Sequence, residues 1–458
     1  MKAYKRLGIL CIAVLLCALL PVLAGATSPG DPPEAVDLNA VYVSVNGDDD
    51  GDGSQESPYA TLAKAVEVAD DGATIYVMSN LEMTECARYY GKDLTITSGE
   101  GGPYTVTRSD EFDMLSDNAR SWYNPAMIEV GSTEGRGTAS LTLTNITFDD
   151  DGKKEGEYFI QADSEGDGET VFGKETIGHG KIVQDAIIAT YNGTGTITLG
   201  EGTVLKNYGG MSAVRLSDGT LIMKAGSTIL DDTVTDRSKG TTIQGANIDY
   251  YGPAGAVWMQ GGTIIMEDGS KICDIVGRAI YNEAGNATIN GEINGVQSDP
   301  DDNSDKKGDI WWGDSGVVMH MRSEAKATFS STGKIDGEGV TLSGSGIAVL
   351  GGCELTMEEG SVITGYENGS ALDIGGTAYL NGEITGLTGS GHAIVAQSSS
   401  NHYIRIGETA NIHHNRCSYG VIYTQGSNGE IHIYGKINDN ISADRGGALV
   451  LANNGTHV

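Results

Sequence analysis

The sequence predicts an all-β fold, a right-handed parallel β-helix with three short strands per coil and a short N-terminal capping helix. Three observations support this prediction. Glycine accounts for 67 of the 458 residues, roughly double its ordinary share. Short apolar triplets alternate with turns rich in Gly, Asn and Ser. Isoleucine also recurs at related positions from residue 229 to residue 437, and such internal repetition is typical of solenoids.

Residues 1–26 have the features of a secretory signal peptide. Basic residues at positions 2, 5 and 6 precede an apolar run that ends at Leu23, and Ala24-Gly25-Ala26 supplies a cleavage site. The alternative is a membrane anchor, which so short a run with Pro21 near its end does not favour. Residues 27–40 would form a linker. We expect a protein that is secreted or held at the cell surface, with no transmembrane segment after cleavage.

Residues 41–80 predict a strand, a helix and a second strand at the start of the solenoid. Residues 41–45 alternate in polarity like a strand. Ser57-Pro58 would supply the N-cap and the first helical residue. An apolar stripe with helical spacing follows, and Asp70-Asp71-Gly72 ends it. The second strand over residues 73–78 completes a unit that would cap the open end of the coils.

This unit resembles the N-terminal segment of right-handed parallel β-helix proteins of the pectin-lyase-like kind. Their pattern is met by Tyr42-Val43, Asn46-Gly47, Asp52-Gly53, Pro58, Thr61, Ala65, Gly72, Ile75 and Val77. The resemblance is close in this segment and extends to the rest of the chain through its repeat pattern. It implies a short helix that caps the open end of a β-solenoid.

From about residue 185 to residue 458, the chain repeats a unit of three short strands joined by glycine turns. The unit reads GAVWMQGGTIIMEDGSKIC from Gly255 and GIAVLGGCELTMEEGSVIT from Gly346. Its firmest column comprises Ile229, Ile272, Ile293, Ile335, Ile363, Ile384, Ile412 and Ile437. Stacking these side chains from coil to coil would bury a core that one coil cannot bury alone. About ten coils are expected, and helical or leucine-rich repeats are excluded because the units lack their patterns.

Between residues 84 and 185 the repeat is less regular. The segments 94–97 and 141–144 alternate like strands and predict early coils. The segments 108–125 and 149–180 have the composition of long loops. We therefore expect the first coils to carry insertions.

The C-terminal sequence Gly446-Gly447-Ala448-Leu449 resembles a repeat of the chlamydial polymorphic outer-membrane proteins, which are β-solenoid adhesins. Their companion Phe-x-x-Asn repeat is missing, since the last phenylalanine is Phe329. The resemblance implies a surface solenoid and indicates no receptor. The sequence ends at Val458, at what would be the start of another strand, so we expect it to be a truncated part of a longer chain.

Charge and cysteine content exclude several partners and sites. The formal net charge is −33, so nucleic acid is not an expected partner, because phosphate binding needs clustered Lys and Arg. The same charge repels polyanionic glycans unless a cation bridges them. The cysteines after the signal peptide, Cys86, Cys273, Cys353 and Cys417, are far apart in sequence. They predict buried single thiols rather than a zinc site.

An acidic loop near the N-terminus provides the one expectation of a bound metal ion, calcium. Asn46, Asp48, Asp50 and Asp52 alternate through a turn-rich segment, and oxygen atoms are the ligands that calcium prefers. Ser57 stands where an EF-hand places glutamate, so the EF-hand pattern is not met. A calcium site and a solvated turn both remain open.

One outward-facing column of the repeats contains the candidate ligand-binding residues. In units such as AVRL and AVWM, the residue between two inward apolar positions points outward. Aligning the coils gives the column Arg215, Trp258, Tyr281, Met319, Val349, Asp373, Val395 and Tyr423. Trp258 and Tyr281 fall on neighbouring coils, where their rings could form a stacking platform for a sugar. The alternative is that a loop packs over them.

Further aromatic residues extend this set of candidates. Trp311-Trp312 follows a charged insertion that must project outward, and adjacent exposed tryptophans would form a binding loop. The alternative is that one indole pins this loop to the rod. Tyr423 occupies the same outward column nearer the C-terminus. Arg215 and Asp373 are about 24 Å apart on that column by strand spacing, so they cannot act on one bond.

The sequence favours a non-catalytic role without settling it. Gly178-His179-Gly180 matches one short motif of the polygalacturonases, but the Asn-Thr-Asp and Arg-Ile-Lys motifs of that family are absent. A pectate-lyase-like site needs clustered acids beside a Lys or Arg, and basic residues here are few and dispersed.

We therefore expect an exported, bacterial cell-surface β-helix that acts as a binding or adhesive rod. Its partner would be a polysaccharide, a cell-surface glycan or a protein. The alternative is a polysaccharide lyase or glycoside hydrolase of the pectin-lyase-like fold, because that fold is rich in such enzymes, although fold does not fix function.

Overall fold

Three long parallel sheets contain nearly all of the secondary structure in the described part of the computed structural model, and the chain visits them in a fixed order from coil to coil. The structure describes residues 39–112, 126–131, 138–150, 159–161, 171–173, 186–190, 195–208, 212–231, 255–275, 277–297, 316–342, 344–396, 401–418, 420–424, 429–443 and 447–451. The predicted right-handed parallel β-helix is confirmed. A right-handed crossover between parallel strands is the arrangement that the twist of the strands favours.

The first sheet has 13 strands, each hydrogen-bonded in parallel to the corresponding strand of the next coil. Its strands are Ala40–Val43, Thr74–Val77, Asp93–Ser98, Ser140–Thr144, Thr196–Leu199, Thr220–Met223, Thr263–Met266, Asn286–Ile289, Lys326–Phe329, Glu354–Met357, Thr377–Leu380, Tyr403–Ile406 and Glu430–Ile433. Buried and half-exposed residues alternate along most of them. In Thr196–Leu199, for example, Ile197 and Leu199 point into the core. The alternation places apolar residues inside and threonines or other polar residues outside.

The second sheet contains the isoleucine column. Its main path is Leu81–Met83, Tyr104–Arg108, Ile146–Asp149, Val204–Lys206, Thr228–Leu230, Lys271–Cys273, Glu292–Asn294, Lys334–Thr341, Val362–Glu367, Glu383–Thr385, Asn411–His413 and Lys436–Asn438, with Thr388–Gly389, Arg416–Cys417 and Ile441–Ser442 beside it. Each predicted isoleucine, from Ile229 to Ile437, is the Cα partner of the next. The predicted stacking is therefore confirmed in register.

The third sheet has 12 strands and differs in burial from the other two. Its strands are Ala87–Tyr89, Ile128–Val130, Ala186–Thr190, Ser212–Leu216, Val257–Met259, Ile280–Asn282, Met319–Met321, Ser345–Val349, Ser370–Ile374, Ile394–Ala396, Ile422–Thr424 and Leu449–Leu451. From Ile128–Val130 to Ser345–Val349, every strand residue is buried, on both faces of the sheet. Polar residues that point outward there lie in a largely dehydrated environment.

The longest connections all lead from the second sheet to the third. They follow the strands that end at Arg108, Asp149, Leu230 and Asn294. The connection after Asp149 includes an antiparallel pair, Phe159–Gln161 with Val171–Gly173. Insertion at this one corner explains the two long intervals in the isoleucine spacing. It also explains why the sequence repeat weakens before residue 185, although the third sheet already has two strands there. From Ala186–Thr190 onward the third sheet has ten strands, which agrees with the expected number of about ten coils.

The helix of the N-terminal cap spans Leu62–Val68, and its apolar stripe packs against the core as predicted. It begins later than Ser57-Pro58 predicts. Thr61 is the N-cap, and its side-chain oxygen accepts a hydrogen bond from the Lys64 amide at 3.1 Å. Asp49 accounts for the difference, because its carboxylate accepts hydrogen bonds from the amides of residues 60 and 61, both at 2.9 Å, and fixes the chain just before the helix.

The four cysteines in the described residues form no disulfide; Cys353 and Cys417 are buried, and Cys86 and Cys273 are partly buried. Residues 1–38, with the signal peptide and most of the linker, lie outside the described residues, so both stay predictions. The described residues contain no helix that is long and apolar enough to cross a membrane.

Candidate functional site on the outer face of the third sheet

Parallel pairing places Arg215, Trp258, Tyr281 and His320 on consecutive strands of the third sheet, all on its outer face. The predicted adjacency of Trp258 and Tyr281 is therefore confirmed. The column continues to Asp373, Val395 and Tyr423, as predicted.

The predicted column is wrong at two positions. Met319 and Val349 point into the core and are fully buried, and His320 and Ala348 occupy the outward positions. A shift of one residue moves a strand side chain to the opposite face. The local sequence Val318-Met319-His320-Met321 allows either alignment by polarity alone, because histidine can be buried when neutral.

A second column lies beside the first, where each strand leaves the third sheet. It contains Ser217, Gln260, Glu283 and Arg322, each two residues after the corresponding member of the first column. The amide of each of the last three donates a hydrogen bond to a carbonyl of the preceding coil, at 2.8, 2.8 and 3.0 Å. The second column is therefore held in register with the first, at about 4.8 Å per coil.

Diagonal hydrogen bonds connect the two columns in a regular way. Arg215 donates from Nη1 to Gln260 Oε1 at 3.0 Å, and the indole Nε1 of Trp258 donates to Glu283 Oε1 at 2.9 Å. Arg322 donates from Nη1 to the Tyr281 hydroxyl at 3.1 Å. In each case a residue of the first column bonds a second-column residue of the next coil. The ladder therefore fixes an amide, a carboxyl and a guanidinium group in a row.

The aromatic rings of the first column are buried, with 5% of Trp258 and 1% of Tyr281 exposed. The guanidinium of Arg215 lies 5.9 Å from the Trp258 ring, and that of Arg278 lies 5.3 Å from the Tyr281 ring. His320 meets Tyr281 edge to face at 5.5 Å. The ring faces are occupied by protein and are not open to solvent.

Burial changes the acid–base properties of this site. It raises the pKa of Glu283, an effect that the Trp258 indole and Arg322 only partly offset. It also raises the pKa of Tyr281 to about 12, although the hydrogen bond from Arg322 opposes this. Burial, together with Arg278 and Arg322, lowers the pKa of His320 to about 3. The histidine is therefore uncharged at neutral pH.

Replacing His320 with phenylalanine is expected to make the fold less sensitive to acid. The folded protein keeps His320 neutral, whereas the unfolded chain protonates it below about pH 6.5. The contribution of His320 to stability is thus complete above about pH 6.5 and is lost as the pH falls toward the pKa of about 3 that the histidine has in the folded protein. Between pH 6 and pH 4, we expect protonation of His320 in the unfolded chain to lower the free energy of unfolding by about 1.4 kcal/mol for each unit that the pH falls.

His320→Phe keeps a ring against Tyr281 and cannot bind a proton, so this part of the pH dependence should disappear. Urea denaturation of both proteins at pH 7, 6, 5 and 4 measures it. An unchanged pH dependence in the variant would show that His320 is not held neutral in the folded state.

The other predicted aromatic residues do not join this ladder. Tyr423 is partly exposed and stacks on His392, with ring centroids 4.9 Å apart. It is about 24 Å from Tyr281 along the column by strand spacing. Trp311 and Trp312 lie outside the described residues, as does Gly178-His179-Gly180, so their roles stay predictions.

The acidic loop predicted to hold calcium uses two of its carboxylates within its own turns. Asp48 accepts a hydrogen bond from the Asp50 amide and Asp52 one from the Ser54 amide, both at 3.0 Å. The Ser54 bonds also lower the pKa of Asp52. In the described ranges, no group of three His, Cys, Asp or Glu side chains is placed to hold a metal ion. Calcium binding at Asn46 and these aspartates stays a prediction.

Sequence reasoning identified Arg215, Trp258 and Tyr281 as outward residues but missed the residues to which they are hydrogen-bonded. Gln260, Glu283 and Arg322 lie at the corner beyond the strand, where the two-residue alternation ends. The signal that could have found them is their constant offset of two residues from the outward column.

No family model and no curated protein matches the sequence. Among solved structures, the chain is similar to a GH136 lacto-N-biosidase from Eubacterium ramulus, with 11% identity and a TM-score of 0.43 over 92% of this chain and 68% of that one. It is also similar to XylC in complex with xylose, with 9% identity and a TM-score of 0.35 over 88% and 86% of the two chains. A third similarity is to a family 28 exopolygalacturonase from Yersinia enterocolitica, with 8% identity and a TM-score of 0.27 over 92% and 79%. Similarity at this level does not identify a substrate.

Proposed function

We propose that the chain is an exported cell-surface β-helix protein that binds a glycan on the outer face of its third sheet. The contacts would be made by Gln260, Glu283 and Arg322. The predicted signal peptide supports export, and the diagonal ladder is the observation that supports this site. A sugar chain offers hydroxyl groups at regular intervals, and a row of amide, carboxyl and guanidinium groups can donate to and accept from them.

The buried aromatic residues have a positioning role in this proposal. Trp258 holds the Glu283 carboxyl and Tyr281 holds the Arg322 guanidinium, so the polar groups lose little conformational freedom on binding. The partly exposed second column, rather than the buried rings, would meet the glycan. The predicted sugar-stacking platform is thereby replaced by a supporting layer.

Removing the Arg322 side-chain charge is expected to weaken glycan binding about 10- to 100-fold, because hydrogen bonds to a charged group contribute about 1.5–3 kcal/mol. The test applies secreted wild-type protein and Arg322→Met to a glycan array and then titrates the bound glycans. Lys326→Met is the matched control, since Lys326 is exposed on the next strand of the same coil. Equal affinity of Arg322→Met and wild type for every bound glycan would refute the proposal.

A glycan-cleaving enzyme is the second candidate, and the raised pKa of Glu283 favours it, because a general acid needs a pKa nearer the working pH. Glycosidases that use two carboxyl groups need a second one within about 10 Å. In the described part of the two columns, the coils before and after Glu283 place Trp258, Gln260, His320 and Arg322 there instead. Within these two columns, Glu283 therefore has no second carboxyl group on the adjacent coils.

Incubation with neutral and uronic-acid polysaccharides separates the two candidates. A binding protein yields no reducing ends and no unsaturated products. Products from the wild type that are lost in Glu283→Gln would favour the enzyme, because glutamine keeps the hydrogen bond to Trp258 but cannot transfer a proton.

A further inference from the structure

A second, exposed cluster of aromatic residues lies on a different face, the first sheet, in its last three described coils. It consists of Tyr379, Tyr403, Arg405, His432 and Tyr434, here named the tyrosine surface. Tyr379, Arg405 and His432 occupy one outward column on consecutive strands, and Tyr403 lies in the column beside it. In the three preceding coils, the position of Tyr379 is occupied by a threonine in each strand. The large side chains therefore mark a local change from the three coils that precede them.

The side chains of the tyrosine surface contact one another from coil to coil. The ring centroids of Tyr379 and Tyr403 are 5.9 Å apart, and those of Tyr403 and His432 are 5.3 Å apart. His432 and Tyr434 have nearly parallel planes, at 5°, with centroids 6.5 Å apart. The Arg405 guanidinium lies 5.0 Å from the Tyr434 ring. These contacts hold several rings in one continuous patch.

Unlike Trp258 and Tyr281, this patch is open to solvent. Tyr434 is 57% exposed, and the other four side chains are partly exposed. Gly407 is the neighbour of Tyr434 on the preceding coil and has no side chain to cover it. A Cβ at position 407 would lie 1.9 Å from Asn381 Oδ1, so this position cannot accept a larger residue without rearrangement.

Size and charge indicate which ligand the patch suits. Five side chains over three coils cannot supply the roughly 800 Å² per partner that a stable protein interface buries. The net charge of −33 repels polyanions, and Glu430, which lies 3.3 Å from His432, adds a local negative charge. Aromatic rings pack against the apolar face of a pyranose, and Arg, His and Glu side chains can bond its hydroxyls.

We propose that the tyrosine surface binds a neutral polysaccharide that lies along the rod. The rise of about 4.8 Å per coil is close to the length of one sugar residue, so successive sugars meet successive coils. This site is independent of the one on the third sheet. It involves a different face and different residues, and no bond is made or broken.

Isothermal titration with cellohexaose, xylohexaose and polygalacturonate tests this site. The wild type should bind at least one neutral hexasaccharide and not polygalacturonate. Tyr434→Ala and Tyr434→Leu should each weaken that binding about tenfold, because both remove the ring. Leucine preserves apolar bulk and so controls for folding. The matched control Tyr42→Ala removes a partly exposed tyrosine at the opposite end of the same sheet, where it stacks on Tyr76, and should bind like the wild type.

Arg322→Met distinguishes the two sites, because Arg322 is not part of the tyrosine surface. Hexasaccharide binding at the tyrosine surface should therefore persist in Arg322→Met, whether or not the third sheet binds a glycan. The tyrosine-surface proposal is wrong if neither neutral hexasaccharide binds or if Tyr434→Ala and Tyr434→Leu bind with wild-type affinity. It is also wrong if size-exclusion chromatography shows that the wild type is a dimer that Tyr434→Ala dissociates, since a second copy of the chain would then occupy the surface.

Discussion

Replacing Ile363 with alanine is expected to lower the free energy of unfolding by about 3 kcal/mol. Ile363 is fully buried and stacks between Ile335 and Ile384 in the isoleucine column. The coils above and below are fixed by parallel hydrogen bonds, so they cannot collapse into the space that the substitution leaves. Chemical denaturation of the secreted protein, followed by circular dichroism, measures the change.

Val362→Ala is the matched control for this prediction. Val362 adjoins Ile363 in the same strand but points outward and is only partly buried. Its truncation removes a comparable amount of side chain without creating an internal cavity, so we expect a loss below about 1 kcal/mol. Equal losses from the two variants would mean that Ile363 does not lie inside a packed coil.

Arg108→Met is expected to lower the free energy of unfolding by about 3–5 kcal/mol. Arg108 forms an ion pair with Asp150 at 2.5 Å between Nε and Oδ1, and the side chains are 4% and 1% exposed. Arg108→Met removes the arginine from this ion pair and leaves the buried Asp150 carboxylate without it. Arg108→Met/Asp150→Asn removes both charges of the pair, so at least half of the lost stability should return. Denaturant titration of the single and double variants measures both effects.

The exposed pair of Lys224 and Glu267 provides the comparison for the buried one. Its side chains are 45% and 40% exposed, and exposed ion pairs contribute about 1 kcal/mol or less. Lys224→Met should therefore change stability little. If Arg108→Met lowered the free energy of unfolding no more than Lys224→Met, the buried pair would contribute no more to stability than the exposed pair.

The core of the fold could be predicted from sequence because its side chains repeat along the rod. Isoleucine fits the stacked inward positions of parallel strands, and glycine marks the turns between them. Ile229 and Ile437 are seven coil steps apart in one column, and every intermediate member was found from the repeat pattern of the sequence. The parallel register that aligns the isoleucines also placed Trp258 beside Tyr281.

The parts that could not be predicted are those where local polarity does not determine direction. Met319 and His320 are flanked by other residues that tolerate burial, so the predicted alignment of the strands was wrong by one residue there. Asp49 was missed as the residue that fixes the start of the helix, because its hydrogen bonds reach residues 11 and 12 positions away. Glu283 and Arg322 lie at a corner, where no period constrains the chain.

The tyrosine surface also depends on contacts between coils. Tyr379, Arg405 and His432 are far apart in sequence and share no local motif. Only the pairing of their strands brings them together. Aligning outward positions of the first sheet, as was done for the third, would have found them.

Distances between spin labels along the first sheet test the coil assignment most directly. The outward column there runs through Thr95, Thr142, Thr198, Ile222, Ile265, Thr288, Thr328 and Thr356. In a background without native cysteines, Thr356→Cys is paired in turn with Thr198→Cys, Thr142→Cys and Thr95→Cys. These pairs span five, six and seven coil steps.

At about 4.8 Å per coil, the predicted distances between the labelled sites are about 24, 29 and 34 Å. Moving the second label from Thr198 to Thr142 should lengthen its distance from Thr356 by no more than moving it from Thr142 to Thr95 does. This should hold although the long connection after Asp149 lies between Thr142 and Thr198 in the sequence. Pulsed electron paramagnetic resonance measures these distances. Equal increments of one strand spacing are the predicted result, whereas distances that follow sequence separation instead of coil number would contradict the stacked β-helix.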